Sequence, residues 1–139
     1  MKGISRLASR DHDFFILAFA LPLGVGIPES EMAMSDEICI VLTTCPDEKS
    51  AERLAEVLVE QRLAACVSAG SPAMSTYPWQ GRIEREREIP LTIKTARSRV
   101  SVLTETLVAH HPYDVPEVLV LPVIDGLDAY TQWIRDWLQ

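Results

Sequence analysis

Apolar residues fall along the chain in blocks whose period changes, and each change marks an element. Glu37-Ile38-Cys39-Ile40-Val41-Leu42-Thr43 is an unbroken apolar run of strand length, rich in β-branched residues. It predicts a central strand buried on both faces. Pro46-Asp47-Glu48 reads as a helix start, with Asp47 as N-cap and Glu48 in the first turn. Ala51, Leu54, Ala55, Leu58 and Leu63 then follow helical spacing, while Glu48, Glu52, Glu56 and Glu60 lie mainly on the other face. That carboxylate row is read as a solvated face rather than as paired acids. Ala64-Ala65-Cys66-Val67-Ser68 begins a second strand; Gly70-Ser71-Pro72 interrupts it, and 74–79 resumes it. Gln80-Gly81 is a turn signal, so a hairpin is expected. Its return strand has a period of two. Ile83, Arg85, Arg87, Ile89, Leu91 and Ile93 fall on one side, and Glu84, Glu86, Glu88, Thr92 and Lys94 on the other. Pro90 cannot donate to a ladder, so it marks an edge or a bulge.

Ser98 is placed to cap a second helix with Val100, Leu103 and Leu107 as its buried stripe. That helix runs into His110-His111-Pro112-Tyr113-Asp114-Val115-Pro116-Glu117. Pro112 ends it, because the ring clashes with the preceding turn and offers no N–H. Pro116 holds Val115 extended and launches a strand at 117–123. Asp125-Gly126 turns the chain, and Tyr130, Trp133, Ile134 and Trp137 give a short amphipathic C-terminal helix whose aromatics suit packing. The order predicts an α+β domain, a ferredoxin-like βαββαβ sandwich with an additional C-terminal helix. Right-handed crossovers put strands one and three in the middle of an antiparallel sheet, with helices on one face. The other face needs cover that a chain this short lacks. Self-association is the simplest cover, and the long hairpin with its exposed edge is a natural means of pairing with a neighbour.

Residues 1–35 read differently. Lys2, Arg6 and Arg10 precede a short apolar run at 14–21, which Pro22, Gly24, Gly26 and Pro28 break up. The run is too short to span a membrane. It has a signal-peptide outline, but Asp11 and Asp13 sit at its edge and no small-x-small cleavage site follows. The expected reading is an N-terminal extension: a disordered tail, a cloning-derived leader, or a start called upstream of Met32 or Met34. The folded domain is then 36–139. The 139 residues carry a formal net charge of −7, which argues against nucleic acid as a partner, since phosphate binding needs a basic patch. Three cysteines without CxxC spacing argue against a disulfide framework and favour a reducing, cytoplasmic setting.

The chemistry-bearing stretch is His110-His111. Two adjacent imidazoles at a helix C-terminus can cap the last carbonyls, where the helix dipole favours His⁺. Neutral, they can equally ligate a metal. Spacing alone leaves both readings open, since no third ligand stands beside them in sequence.

Across roughly 37–137 the chain resembles the CutA divalent-cation tolerance proteins. The resemblance rests on Thr43-Thr44-Cys45-Pro46, Leu63-Ala64-Ala65-Cys66-Val67, Tyr77-Pro78-Trp79-Gln80-Gly81-Arg82-Ile83-Glu84, Glu88, Lys94-Thr95, His111-Pro112-Tyr113-Asp114-Val115-Pro116-Glu117, and Tyr130 with Trp133. It implies a ferredoxin-like homotrimer with a role in the response to metal ions, binding copper or another divalent cation. It also implies a copper site built from paired histidines, here His110 and His111, and a cysteine at the end of strand one. Thr43 occupies that cysteine's position, and Cys45, two residues on, points to the same side of a continuing strand. The candidate metal ligands are therefore His110, His111 and Cys45, with copper as the expected cofactor. Cys66 is read as a core thiol.

Other function classes fit less well. A trimeric small-molecule sensor like the PII signalling proteins, fold relatives that bind nucleotide between subunits, would want a Gly-rich phosphate loop, and the chain has only six glycines. An enzyme would need a nucleophile, base and orienting group that converge. Cys45 with a histidine is the only pairing available, so no enzymatic activity is expected. A purely structural trimer, with Tyr113, Trp79 and Trp133 as interface anchors, is the remaining alternative.

Overall fold

The computed structural model describes residues 37–139; the extension expected at 1–35 lies outside the described residues. The elements are β1 (Ile38–Cys45), α1 (Glu48–Glu60), β2 (Cys66–Ala69), β3 (Ala73–Trp79), β4 (Arg82–Ala96), α2 (Val100–His110), β5 (Leu119–Pro122) and α3 (Asp128–Trp137). All pairings are antiparallel, in the order β2-β4-β1-β5, with β3 pairing β4 beyond the end of β2. β1 is central, as its apolar run predicts. One face of it, Val41 and Cys45, packs with Ile89, Leu91 and Ile93 of β4 under Leu54 and Leu58 of α1 and Leu103 and Leu107 of α2.

Among the described residues, the other face is covered at one end only. Ile38 and Ala96, cross-strand partners, pack with Ala65, Ile134 and Leu138, which seats α3 there. Farther along, Ile40 and Leu42 are half-buried, flanked by Leu121 and Leu119, which are 46% and 56% exposed. The expectation of a strand buried on both faces is thus met on one face and only partly on the other.

β4 outruns its neighbours. β1 pairs with 89–96 and β2 with 91–94, so 82–88 pair only with β3 and project from the sheet as a two-stranded arm. Where β2 gives way to β3, three residues, 70–72, face two, 89–90. This is a bulge, and it lies opposite Pro90. The Pro90 carbonyl accepts from Gly70 N–H at 2.8 Å. A strand residue's N–H and C=O point the same way, so the missing N–H of Pro90 falls on the bulged side and no bond to β1 is lost. The arm closes on Gln80-Gly81, both with positive φ (47° and 76°), the geometry of a two-residue type I′ turn.

The helix starts differ. Asp47 caps α1 as expected, its Oδ1 accepting from Ser50 N–H at 2.7 Å. Ser98 does not cap α2. A 3₁₀ turn, Arg97–Arg99, precedes that helix, and its backbone bonds take the place of a side-chain cap. Arg99 instead donates to the Leu138 carbonyl at the end of α3. Arg62 does likewise to the Trp137 carbonyl at 3.0 Å, with its guanidinium 4.5 Å from the centre of the Trp137 ring. Two cations thereby sit at the negative end of the α3 dipole. Arg62 itself has a left-handed backbone, φ 55°.

Thr43 is 1% exposed, and among the described residues its hydroxyl has no hydrogen-bond partner. A buried unpaired hydroxyl is destabilising. Thr43→Val is therefore expected to raise stability by about 1 kcal/mol, read as a higher urea midpoint at unchanged slope; a lower midpoint would mean that the hydroxyl has a partner.

Candidate metal centre

α2 ends at His110, and His111 leaves the helix with an extended backbone (φ −81°, ψ 139°), as a residue before proline must. The change of backbone sends the two rings apart. His110 is exposed, and its Nδ1 lies 2.8 Å from the Thr106 carbonyl one turn back. Nδ1 therefore carries the hydrogen and Nε2 stays open. His111 is buried against the end of β1, with Nε2 2.8 Å from the Thr44 carbonyl and 3.8 Å from Cys45 Sγ. Its Nδ1 accepts from Tyr113 N–H at 3.0 Å. A carbonyl on one nitrogen and an N–H on the other fix the neutral Nε2–H tautomer.

Of the three candidate ligands, Cys45 and His111 come together and His110 turns away. Among the described residues, no three His, Cys, Asp or Glu side chains converge closely enough to hold a metal ion. Burial, reinforced by Asp47 and Glu88, pushes the Cys45 thiol up to about 11. Burial also lowers the His111 pKa, opposed by the Thr44 bond and by Glu88. The pair is thus a protonated thiol beside a neutral imidazole. Sulfur and nitrogen donors suit copper or zinc better than magnesium or calcium. The donor types fit such an ion, on the condition that Cys45 and His111 Nε2 each give up a proton.

The site continues into groups that the sequence reading missed. Tyr113, expected as an interface anchor, is buried within its own chain, its ring 5.0 Å from that of His111. Its Oη donates to Glu88 Oε1 at 3.0 Å, and Ser75 Oγ donates to Glu88 Oε2 at 2.8 Å. Burial first, then Glu88, pushes the Tyr113 hydroxyl well above its ordinary range. A continuous set of hydrogen bonds therefore joins the end of β1, the loop after α2 and both strands of the arm. The sequence signal for Glu88 is its place at the head of the apolar run 89–93, where the solvated arm enters the sheet. Cys66, expected in the core, is only half-buried, with Lys94 Nζ at 3.7 Å and Ser68 Oγ at 3.8 Å.

Because burial depresses the folded-state pKa of His111, its neutral form stabilises the fold fully above the ordinary histidine pKa of about 6.5. That contribution is lost as pH falls through the folded-state value, since only the unfolded chain then binds the proton. Protonated Nδ1 also can no longer accept from Tyr113 N–H. Melting temperature measured with chelator present should fall between pH 7 and pH 5, and His111→Gln should flatten that dependence while lowering the melting temperature at pH 7. An equally steep dependence in the variant would assign it to other groups.

The family model for the CutA1 divalent ion tolerance protein matches residues 39–137. Protein CutA of Homo sapiens is 44% identical over 98 residues, 70% of this chain and 55% of the human protein, so the chain spans about half that relative's length. The divalent-cation tolerance protein CutA of Citrobacter koseri is 43% identical over 99 residues, 71% of this chain and 86% of that protein. Among solved structures, CutA from Xylella fastidiosa superposes with a TM-score of 0.73 at 44% identity, covering 74% of this chain and 99% of that one. The periplasmic divalent cation tolerance protein CutA from Archaeoglobus fulgidus gives 0.71 at 30% identity, covering 73% and 99%. A family match over most of the described residues, with relatives alike in both sequence and fold, establishes that this chain belongs to the CutA1 divalent ion tolerance family.

Proposed function

We propose that the chain works as a homotrimer in the response to divalent cations, binding an ion rather than transforming a substrate. The observation that carries the assembly is the arm. Two strands of seven residues project from the sheet, and an isolated two-stranded hairpin is marginal in water. Strand pairing with neighbouring copies would use its free backbone edges. The half-covered face with Leu119 and Leu121 supports the same reading. So does the stacked pair Tyr130 and Trp133, 41% and 48% exposed with ring centroids 5.6 Å apart. The sheet order supports a ferredoxin-like class. Three free thiols support a reducing, cytoplasmic setting, and among the described residues no helix is long and apolar enough to cross a membrane.

Copper or a similar divalent cation is the ligand of this reading, with Cys45 and His111 as its converging donors and His110, next in sequence but turned away, as a third that would have to swing toward them. When bound, the ion would supply a soft Lewis acid at the end of β1. Against catalysis stand the thiol pushed up to about 11 and a His111 whose Nδ1 is held by a backbone N–H instead of an orienting carboxylate.

Two measurements test the reading. Sedimentation at micromolar concentration is expected to give the mass of three chains; a folded single subunit would remove the assembly. Titration of metal-free protein with Cu²⁺ is expected to show tighter binding at pH 8 than at pH 6, with protons released to the buffer. A His110→Ala/His111→Ala variant, shown folded by circular dichroism, is expected to lose that binding; equal binding by both proteins would remove the site.

A further inference from the structure

The sequence motifs around Cys66 and Lys94 lie outside the candidate metal centre, and the fold sets them side by side. Cys66 on β2 is directly opposite Lys94 on β4, on the sheet face away from α1 and α2. Opposed residues of an antiparallel pair carry their Cβ atoms about 4.5–5.5 Å apart. Here the side chains close further, to 3.7 Å between Nζ and Sγ. Lys94 is half-buried, yet no carboxylate answers it. Its neighbours on that face are Cys66 and Ile40 across the two ladders, and Thr92 and Ala96 along its own strand. Among the described residues its Nζ has no hydrogen-bond or ion-pair partner other than the Cys66 sulfur. The other two thiols differ. Cys39 and Cys45 are 1% and 0% exposed and lie on the opposite face of the sheet. Cys66 is thus the thiol that a small oxidant reaches, and what it faces is an amine.

We propose that Cys66 and Lys94 form a reversible redox crosslink, a sulfur–nitrogen bond between β2 and β4, made when hydrogen peroxide oxidises the thiol. The Cys66 sulfur attacks one peroxide oxygen; the O–O bond breaks, water leaves, and a sulfenic acid remains. Sulfenic acids condense with a nitrogen held beside them. Lys94, as the neutral amine after giving a proton to solvent, attacks the sulfur. The S–N bond forms, the S–O bond breaks, and the hydroxide leaves with a proton as a second water. One peroxide is reduced, the sulfur is oxidised by two electrons, and Cys66 and Lys94 lose one hydrogen each. Two external thiols reverse the reaction. The first attacks the sulfur and expels the amine; the second releases Cys66, and one external disulfide is the product. The flexible four-carbon stem of lysine closes the remaining gap without moving the backbone. β2 is four residues long and, among the described residues, paired on one side only. The bond ties this edge to β4 and removes the Lys94 charge.

Peroxide treatment of the full chain, with chelator present and external thiols removed, tests it. Mass spectrometry of the digest is expected to show a peptide pair joining Cys66 to Lys94, lighter by two hydrogens than its halves together. The pair is expected to vanish after dithiothreitol. Lys94→Arg keeps the charge but supplies no nucleophile, since a guanidinium stays protonated. With its fold confirmed by circular dichroism, that variant is expected to lose the crosslink and to leave a Cys66 sulfenic acid that dimedone labels. Wild-type Cys66 recovered only as a free thiol, as sulfinic or sulfonic acid, or in a disulfide between copies would overturn the proposal. So would equal dimedone labelling of the two proteins. A bridge that retains an oxygen atom would overturn it as well, because the amine would then not have displaced hydroxide from sulfur.

Discussion

β4 is fifteen residues long, and among the described residues no strand matches it from end to end. Its second half is the sheet's interior, paired on both sides. Its first half has one partner, β3, and leaves the body of the domain. Most of the molecule's polarity follows from that mismatch. Apolar residues of β4 at 89, 91 and 93 lie under two helices, while the same side of the same strand at 83, 85 and 87 meets solvent. The bulge at 70–72 is the joint, and Pro90 sits at the one position where its missing N–H breaks no bond to β1.

The joint is held by polar contacts as well as apolar ones. Glu88 is 1% exposed, a carboxylate taken out of water and satisfied by hydroxyls from Tyr113 and Ser75. Removing one partner from a buried polar group exacts the full desolvation penalty, so such a group fixes its neighbours in place. Through Tyr113 and His111 the same contacts reach the Thr44 carbonyl and Cys45. The candidate metal donors and the base of the arm are therefore one hydrogen-bonded unit, and a change in protonation at His111 is felt at Glu88.

Much of this was legible in the sequence because local rules governed it. Period two along 83–94 gave the strand and its alternating faces, and helical spacing gave Leu54, Leu58, Leu103 and Leu107. Asp47 gave a cap, and Gln80-Gly81 gave a turn. Ser98 failed as a cap because a 3₁₀ turn competes with side-chain capping through backbone bonds that composition does not reveal. The histidine pair was found, but its divergence was not, because one ring belongs to a helix and the next to extended backbone. Period two places Glu88 in one row with Glu84 and Glu86 and does not mark it as the buried member, because its partners lie 13 and 25 residues away. Burial of that kind is set by tertiary contact, which a periodic pattern does not record.

Arg62 carries two tasks that pull against each other. Its backbone lies where glycine is at ease and a side chain is strained. Its guanidinium holds the last turn of α3. The stop signal of the first helix is therefore also, together with Arg99, a clasp on the last one, so the first and last helices are tied through residue 62. A glycine there would relax the stop and release the clasp, making residue 62 a place where backbone ease has been given up for long-range closure.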